Sequence, residues 1–410
     1  MKILHLNHSD SVGGAAKFTR RLHDALLAEG VSSYICCSSV KAQDPRILNI
    51  DPDLSTLNAF FRAKSAQFLD RKITRFEYNN PRNFKSPGLV GAVKAKWIND
   101  SDFDVVHLHW INGGLISIKE IGKINKPIVW SMLDMWPFMG SEHYVDANHD
   151  GRWIGGYENV ARLNSSKGLD ISRISAKMKT RYWTENKNIK YVSPTNWLAS
   201  HAKQSYLMQK NDLTVIPAAL NTDLFIPEKG IKAQEINHQF TIGYGGAYSG
   251  RKGWTLFKEF LNTYNKNLKG SQVITFGAPI SSEFRSPYYD VKQFGQISGE
   301  EKLVEIYNRM DVLVFPSLVE TFGLIAQEAQ SCGVPVICIK NTGTSEVIEH
   351  EKTGFEIISN LNALNRSLGT LKAESQTRES FALNSRARAT KLWSRTIVAK
   401  KYIELYSEYL

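Results

Sequence analysis

The sequence predicts an α/β protein built as two doubly wound domains, and three observations carry that expectation. The chain has 410 residues, which is too long for one ordinary core and suits two domains of similar size. Short β-branched runs recur along it, each followed by a polar, glycine-bearing loop and then a segment of helical spacing. A stretch rich in Lys, Glu and Asn from Pro227 to Gln239 interrupts this cycle once. The expected domains are therefore 1–227 and 228–392, with a terminal helix at about 393–410.

Met1 to Asn7 reads as the first strand, His8 to Gly14 as a loop, and Ala15 to Glu29 as a helix stopped by Gly30. Gly13 and Gly14 allow a ligand to approach backbone at a helix start, or they simply make a tight turn. They are not a GxGxxG fingerprint, so a dehydrogenase-type dinucleotide fold is not supported. Val31 to Cys37 is the next strand. Leu54 to Tyr78 places Leu57, Phe60, Phe61, Phe68, Leu69, Ile73 and Phe76 at helical spacing among Arg62, Lys64, Arg71, Lys72 and Arg75. That stripe suits a core-facing helix, or an interfacial helix lying on an anionic bilayer.

Asp104 to Trp110 is a strand with a polar tip, and Pro127 to Met132 is another that delivers Asp134. Ligands of open α/β sheets collect beyond the carboxyl ends of strands, so His109 and Asp134 are candidates for a site, while His107 alternates inward. Trp136, Phe138, Tyr144 and Trp153 offer apolar faces for sugar rings. Asn148 to Thr184 reads as a long irregular surface excursion. Strands are next expected before Pro194 and at Leu213 to Pro217.

The second half restarts the cycle at Phe240 to Tyr244, and its loop Gly245 to Trp254 carries Gly246, Arg251 and Lys252. Two cations in a glycine-rich turn suit a diphosphate, or are merely solvated. Val273 to Phe276 and Val291 to Phe294 are strands, the second leading to Gly295, Gln296, Ile297 and Ser298. Val312 to Phe315 and Val336 to Ile339 bracket a helical segment, with Glu320 in the turn and Glu328 eight positions later. Helix rise over that interval is about 12 Å, the reach of a diphosphate-linked ligand. Thr321, Phe322, Gly323 and Leu324 fall at the expected helix start, where free N–H groups favour phosphate or sugar oxygens. The same residues also read as an exposed turn carboxylate, a solvated helix face and a packing glycine.

Composition narrows the partners. The formal charge of +11 is diffuse and suits nucleotide phosphates, anionic lipid or nucleic acid. No zinc-finger, RNA-recognition or helix-turn-helix pattern is present, so nucleic acid is not expected. No apolar run approaches eighteen residues and the first residues are too short and polar for a signal peptide, which leads to a cytoplasmic expectation. Cys36, Cys37, Cys332 and Cys338 have no metal or CxxC spacing and are expected as free thiols.

The segment Glu320-Thr321-Phe322-Gly323-Leu324 to Glu328-Ala329, with Gly333-Val334-Pro335-Val336-Ile337 after it, resembles the E-x7-E signature of the family-4 retaining glycosyltransferases. The resemblance covers nearly the whole chain. It implies the GT-B fold, two Rossmann-like domains facing across a cleft, with the last helix crossing back onto the first domain. It implies that Glu320 contacts the donor sugar, Glu328 the ribose, and the Gly295 to Ser298 loop, with Gln296 and Ile297, the nucleobase. Gly13, Gly14 and Gly246 would lie near the donor, and Lys252 and Arg251 would carry the family's R-x-x-x-x-K-G role in compressed form. The implied catalytic set is Glu320, Lys252, Arg251, Asp134 and His109, with a UDP- or GDP-sugar as donor, a glycan or lipid-linked glycan as acceptor, and neither cofactor nor metal. Residues 133–144 look like a subgroup carrying H-D-M-W-P-F-x-G-x-x-H-Y, found in bacterial surface-polysaccharide synthesis, but Leu133 stands in place of histidine. The passage Ala218 to Pro227 resembles the family's hinge, with Ala218 replacing asparagine. An epimerase or phosphorylase on the same scaffold, or a non-catalytic partner subunit, remain alternatives.

Overall fold

The structure, a computed structural model, describes residues 1–50, 55–78, 84–145, 151–162, 167–183, 188–228, 239–282 and 284–409. Two compact units emerge, Met1–Ala219 with Val398–Leu410, and Leu220–Ile397. The polar boundary expected after Pro227 lies largely outside the described residues.

The first unit contains β1 (Lys2–Leu6), β2 (Ser32–Cys36), β3 (Ile47–Leu48), β4 (Glu77–Tyr78), β5 (Val105–Leu108), β6 (Ile128–Ser131), β7 (Lys167–Gly168), β8 (Ile189–Ser193) and β9 (Leu213–Val215). Seven of these form one parallel sheet in the order β3-β2-β1-β5-β6-β8-β9, and β4 pairs with β7 separately. Every residue of β5 and β6 is buried, because helices cover both faces of a parallel sheet and leave no solvated side. The helix Gly13–Ala28 follows β1. At the other end of the chain, Tyr402 and Tyr406 are fully buried in this unit. Their hydroxyls reach Ser131 Oγ at 2.8 Å and His107 Nδ1 at 2.6 Å.

The second unit contains β10 (Thr241–Gly245), β11 (Gln272–Phe276), β12 (Asp290–Gln293), β13 (Val312–Phe315), β14 (Val336–Ile339) and β15 (Gly354–Ile357). They form one parallel sheet in the order β12-β11-β10-β13-β14-β15. Chain order reverses between β10 and β13 here, and between β1 and β5 in the first unit. Such reversals open a crevice beyond the strand carboxyl ends, because the flanking connections leave on opposite faces. Both units are thus Rossmann-like, as expected.

Three local expectations need correction. Within 148–184, the described part includes the helix Ile171–Trp183, which buries Ile171, Ser172, Ser175, Ala176, Lys179 and Trp183. Its inward stripe mixes Ile171, Ala176 and Trp183 with two serines and a lysine, which dilutes the apolar signal. Lys179 is fully buried and donates to the carbonyls of Trp136, Met139 and Gly140. The terminal helix does not begin at Trp393: one helix ends there, Ser375–Trp393, and Arg395–Ser407 starts anew after Ser394. In the helix Thr56–Ile73 the inward face is Ala59, Ala63, Ala66 and Asp70, so the core-facing reading of the aromatic stripe fails. Small residues let this helix join the core with its Ala66 backbone close against Gly114, and Leu57, Phe60, Phe61, Phe68 and Leu69 point outward, Phe61 and Phe68 each 58% exposed. Leu54 lies outside the described residues. No described helix is long and apolar enough to cross a membrane, and all four cysteines are buried thiols.

Candidate functional site

In the second unit the switch between β10 and β13 is flanked by the loops that follow those two strands. The β10 loop runs from Gly246 to Gly253 and the β13 loop from Pro316 to Gly323. Backbone bonds fasten them together: Leu318 N–H donates to the Arg251 carbonyl at 2.9 Å, and the Arg251 guanidinium donates to the Val319 carbonyl at 3.2 Å. Gly253 has φ +72° and lies against the Pro316 carbonyl, a place no side chain fits. These ties bring Lys252 Nζ into a hydrogen-bonded ion pair with Glu320 Oε2. The ammonium also lies 5.5 Å from the Phe315 ring centroid. A third loop, after β14, is held by Gly343 N–H, which donates to the Glu320 carbonyl at 2.7 Å.

The helix of the E-x7-E segment starts later than expected. It spans Leu324–Ser331, with Gly323 as N-cap at φ +100°. Thr321 and Phe322 therefore precede it, with the left-handed glycine as its cap, and the interval from Glu320 to Glu328 is only partly helical. Glu328 is fully buried, and its Oε2 accepts from the Tyr307 hydroxyl at 2.6 Å. Thr321 and Phe322 are buried and Leu324 half-buried.

Glycine loops line the neighbouring strand ends. Gly246 N–H donates to the Phe276 carbonyl at 2.9 Å, Gly277 N–H to Gly295 at 2.7 Å, and exposed Gln296 donates its amide to Gly277 at 3.0 Å. Ile297 is half-buried beside it. The second unit thus collects Gly246, Arg251, Lys252, Gln296, Ile297 and Glu320 to Gly323 on the loops at one end of its sheet, with Leu324 and Glu328 on the helix that follows.

The first unit has its own switch loops. Gly13 opens the helix after β1 at φ +89°, with Gly14 next and open space beside Gly13. His109, at the end of β5, is 2% exposed. Its Nε2 lies 2.9 Å from His5 Nδ1 and its ring stacks on His107 at 4.1 Å. Burial pushes His109 down to about 3 and His23 to about 4, and holds His5 and His107 well below the usual imidazole range. These rings are neutral at pH 7. Sequence reading placed His107 in the core but missed its association with His5, which depends on the pairing of β1 with β5. The ring nitrogens of His5, His107 and His109 lie within 4.8 Å of one another, but both nitrogens of His107 are already engaged, by Tyr406 and by Ser131 at 2.8 Å.

Asp134, beyond β6, is 4% exposed. Its carboxylate accepts from Trp110 Nε1 at 2.9 Å, from Trp136 N–H at 3.0 Å and from His143 Nδ1 at 2.5 Å. His143 in turn reaches Ser86 Oγ at 2.9 Å. Half-buried Leu133 precedes this cluster. Trp136, Phe138 and Trp153 are core rings rather than sugar platforms, because the turn Trp136–Phe138 folds inward under the Lys179 ammonium. Tyr144 is half-buried. The aromatic ring left outward is Phe84, 60% exposed, packed 4.5 Å from His143 and 6.3 Å from Trp110.

Residues 287–388 match the family model described as "Glycosyl transferases group 1". That stretch of the second unit is similar to group 1 glycosyl transferases. The matched residues include the loop at Gln296 and the whole Glu320 to Glu328 segment. A similar protein is the putative colanic acid biosynthesis glycosyl transferase WcaC of Escherichia coli, 25% identical over 388 residues, covering 88% of this chain and 87% of that protein. Among solved structures, the sucrose-phosphate synthase of Thermosynechococcus elongatus superposes with a TM-score of 0.63 at 18% identity, covering 100% of this chain and 98% of that one. The Anabaena protein HepE, solved in complex with UDP and glucose, gives 0.62 at 15% identity, covering 99% of each chain. Both share the GT-B fold with this chain.

Proposed function

We propose that the chain is a retaining glycosyltransferase that moves a sugar from a UDP- or GDP-sugar to a glycan or lipid-linked glycan, in polysaccharide or O-antigen-type biosynthesis. The observation that carries this reading is the Lys252–Glu320 pair held across the switch point of the group 1 unit. A lysine and an arginine on one rigid loop supply positive charge where a diphosphate departs, so the reading needs no metal. Glu320 orients the sugar, Glu328 holds the ribose, and the Gly246 and Gln296–Ile297 loops border the diphosphate and nucleobase. Gly13 and Gly14 give the first unit an accessible helix start for donor oxygens.

In the transfer, the bond from the anomeric carbon to the phosphate oxygen breaks and one to the acceptor oxygen forms on the same face. The acceptor proton goes to the departing phosphate oxygen. His109 and Asp134 act in this scheme as positioning residues, since their polar atoms hold neighbouring side chains and backbone. The family match and the named relatives favour transfer over the epimerase, phosphorylase and non-catalytic alternatives.

The proposed workplace is the cytoplasmic face of a membrane. The outward residues Phe60, Phe61, Phe68 and Leu69, on a helix that also carries Arg62, Lys64, Arg71 and Lys72, support peripheral contact with an anionic surface. The donor assignment is tested by thermal shift and hydrolysis against UDP-, GDP- and ADP-sugars, repeated on Glu328→Ala and Lys252→Ala. One donor should stabilise the parent and neither variant. Equal stabilisation of all three proteins refutes the assignment.

A further inference from the structure

Lys252 and Glu320 are 19% and 14% exposed, so each shields the other's charge from much of the solvent. The loops that carry them are fixed by the Leu318–Arg251 and Arg251–Val319 bonds and by the seat of Gly253 against Pro316. Any exchange of partners at Lys252 must therefore come from side-chain rotation, not from parting of the loops. Lysine is a point charge with rotatable donors, well suited to such an exchange. A diphosphate cannot share Lys252 at close range with Glu320 without setting two anions side by side in a partly desolvated place.

We infer that Glu320 is an internal competitor of the donor diphosphate: its carboxylate holds Lys252 until the second phosphate of a donor takes that place and releases Glu320 to the sugar hydroxyls. This rests on the donor-site reading above. In that reading the ribose is held at Glu328, and the phosphate joined to the sugar is the one that meets Lys252. A nucleoside monophosphate ends short of the pair and leaves it closed. Glu320 then raises the threshold for entry and becomes available to the sugar only when a diphosphate is present.

The test is calorimetric titration of UDP, GDP and ADP, and of the matching monophosphates, into the full-length protein and its Glu320→Gln, Lys252→Met and doubly substituted forms. Glu320→Ala serves as a second carboxylate-free variant, and circular dichroism checks the fold of each. Glu320→Gln should bind the preferred diphosphate about fivefold tighter, the factor set by a partly exposed ion pair. Its monophosphate affinity should stay within about twofold, and the gain should vanish in the Lys252→Met background. Diphosphate binding that is unchanged or weaker in both Glu320 variants overturns the inference while leaving the donor site intact. A gain shared equally by the monophosphate, or one that survives Lys252→Met, overturns it as well. A parent protein that binds no diphosphate overturns the donor-site reading and this inference together.

Discussion

Gly253→Ala tests whether the two loops of the second unit act as one rigid part. A Cβ at this position would stand 1.9 Å from the Pro316 carbonyl oxygen and 2.6 Å from its carbon, where ordinary contact begins at 3.4 Å. The residue also sits at φ +72°, where an L side chain costs about 1–2 kcal/mol. Relieving the overlap by shifting backbone adds about 1–3 kcal/mol. A total near 3 kcal/mol lowers the unfolding midpoint of a unit this size by about 6–12 °C. Lys252 is the preceding residue, so displacement also misplaces its ammonium and should weaken nucleoside diphosphate binding about tenfold, the value of one charge-assisted hydrogen bond. Gly250→Ala is the control: it lies in the same loop, and a Cβ there meets nothing within 4 Å. Differential scanning calorimetry and nucleotide titration read both quantities. A Gly253→Ala protein within about 2 °C and twofold of the parent would refute the rigid-loop argument.

Tyr307→Phe removes the hydroxyl that donates to buried Glu328 at 2.6 Å; urea denaturation should record a loss of about 2 kcal/mol, and a loss below about 0.5 kcal/mol would mean the contact is dispensable. Lys179→Met leaves the carbonyls of Trp136, Met139 and Gly140 without their shared donor. It should cost about 3 kcal/mol or more by the same measurement, even though burial holds the Lys179 amine well below its ordinary range. For acid, the sign follows from His5, His107 and His109, whose folded values lie below the unfolded value near 6.5. The unfolded chain binds protons that the folded one refuses, so stability is full above pH 6.5 and falls as pH drops toward about 3. Each ring costs about 1.4 kcal/mol at pH 5.5, and a urea midpoint that is flat from pH 7 to 5.5 would contradict neutral burial. On anionic vesicles, flotation should fall when Arg71, Lys72 and Arg75 are replaced by Gln and again with added salt; no flotation of the parent at low salt removes the membrane reading.

The parallel strands were legible because each is a continuous buried run bounded by glycine or polar residues, as at Val312–Phe315 and Val336–Ile339. Glu320, Arg251 and Lys252 were legible as loop residues for the same local reason. Their pairing was not, since it joins positions 68 apart through a sheet order that no local pattern encodes. The helix Ile171–Trp183 is masked by its buried Lys179, held by carbonyls of the distant turn at Trp136, and by Ser172 and Ser175, which donate to Glu142 and to the Pro87 carbonyl. The helix Thr56–Ile73 was found, but its facing was not. Hydrophobicity gives the aromatic stripe priority, whereas close packing at the Gly114 turn and in the core selects Ala59, Ala63 and Ala66 for the inside.

The two switch points differ in how their charges are spent. In the first unit, Asp134 is saturated by Trp110, Trp136 and His143, and Asp10 accepts from the N–H groups of Lys41 and Ala42 at 2.7 Å each. The histidines beneath are neutral through burial. The charges named there are engaged or buried, and among the described residues that end also offers an open glycine turn and the exposed Phe84 ring. In the second unit the charge is held in an ion pair between side chains that remain partly exposed, so an anion of suitable shape can compete for it. Under the proposed function, phosphate recognition is therefore assigned mainly to the second unit on electrostatic grounds, and the neutral, aromatic end of the first suits an uncharged carbohydrate. That division predicts the response to salt: raising ionic strength should weaken donor binding, while the apparent affinity for a neutral glycan acceptor, measured at saturating donor, should move little.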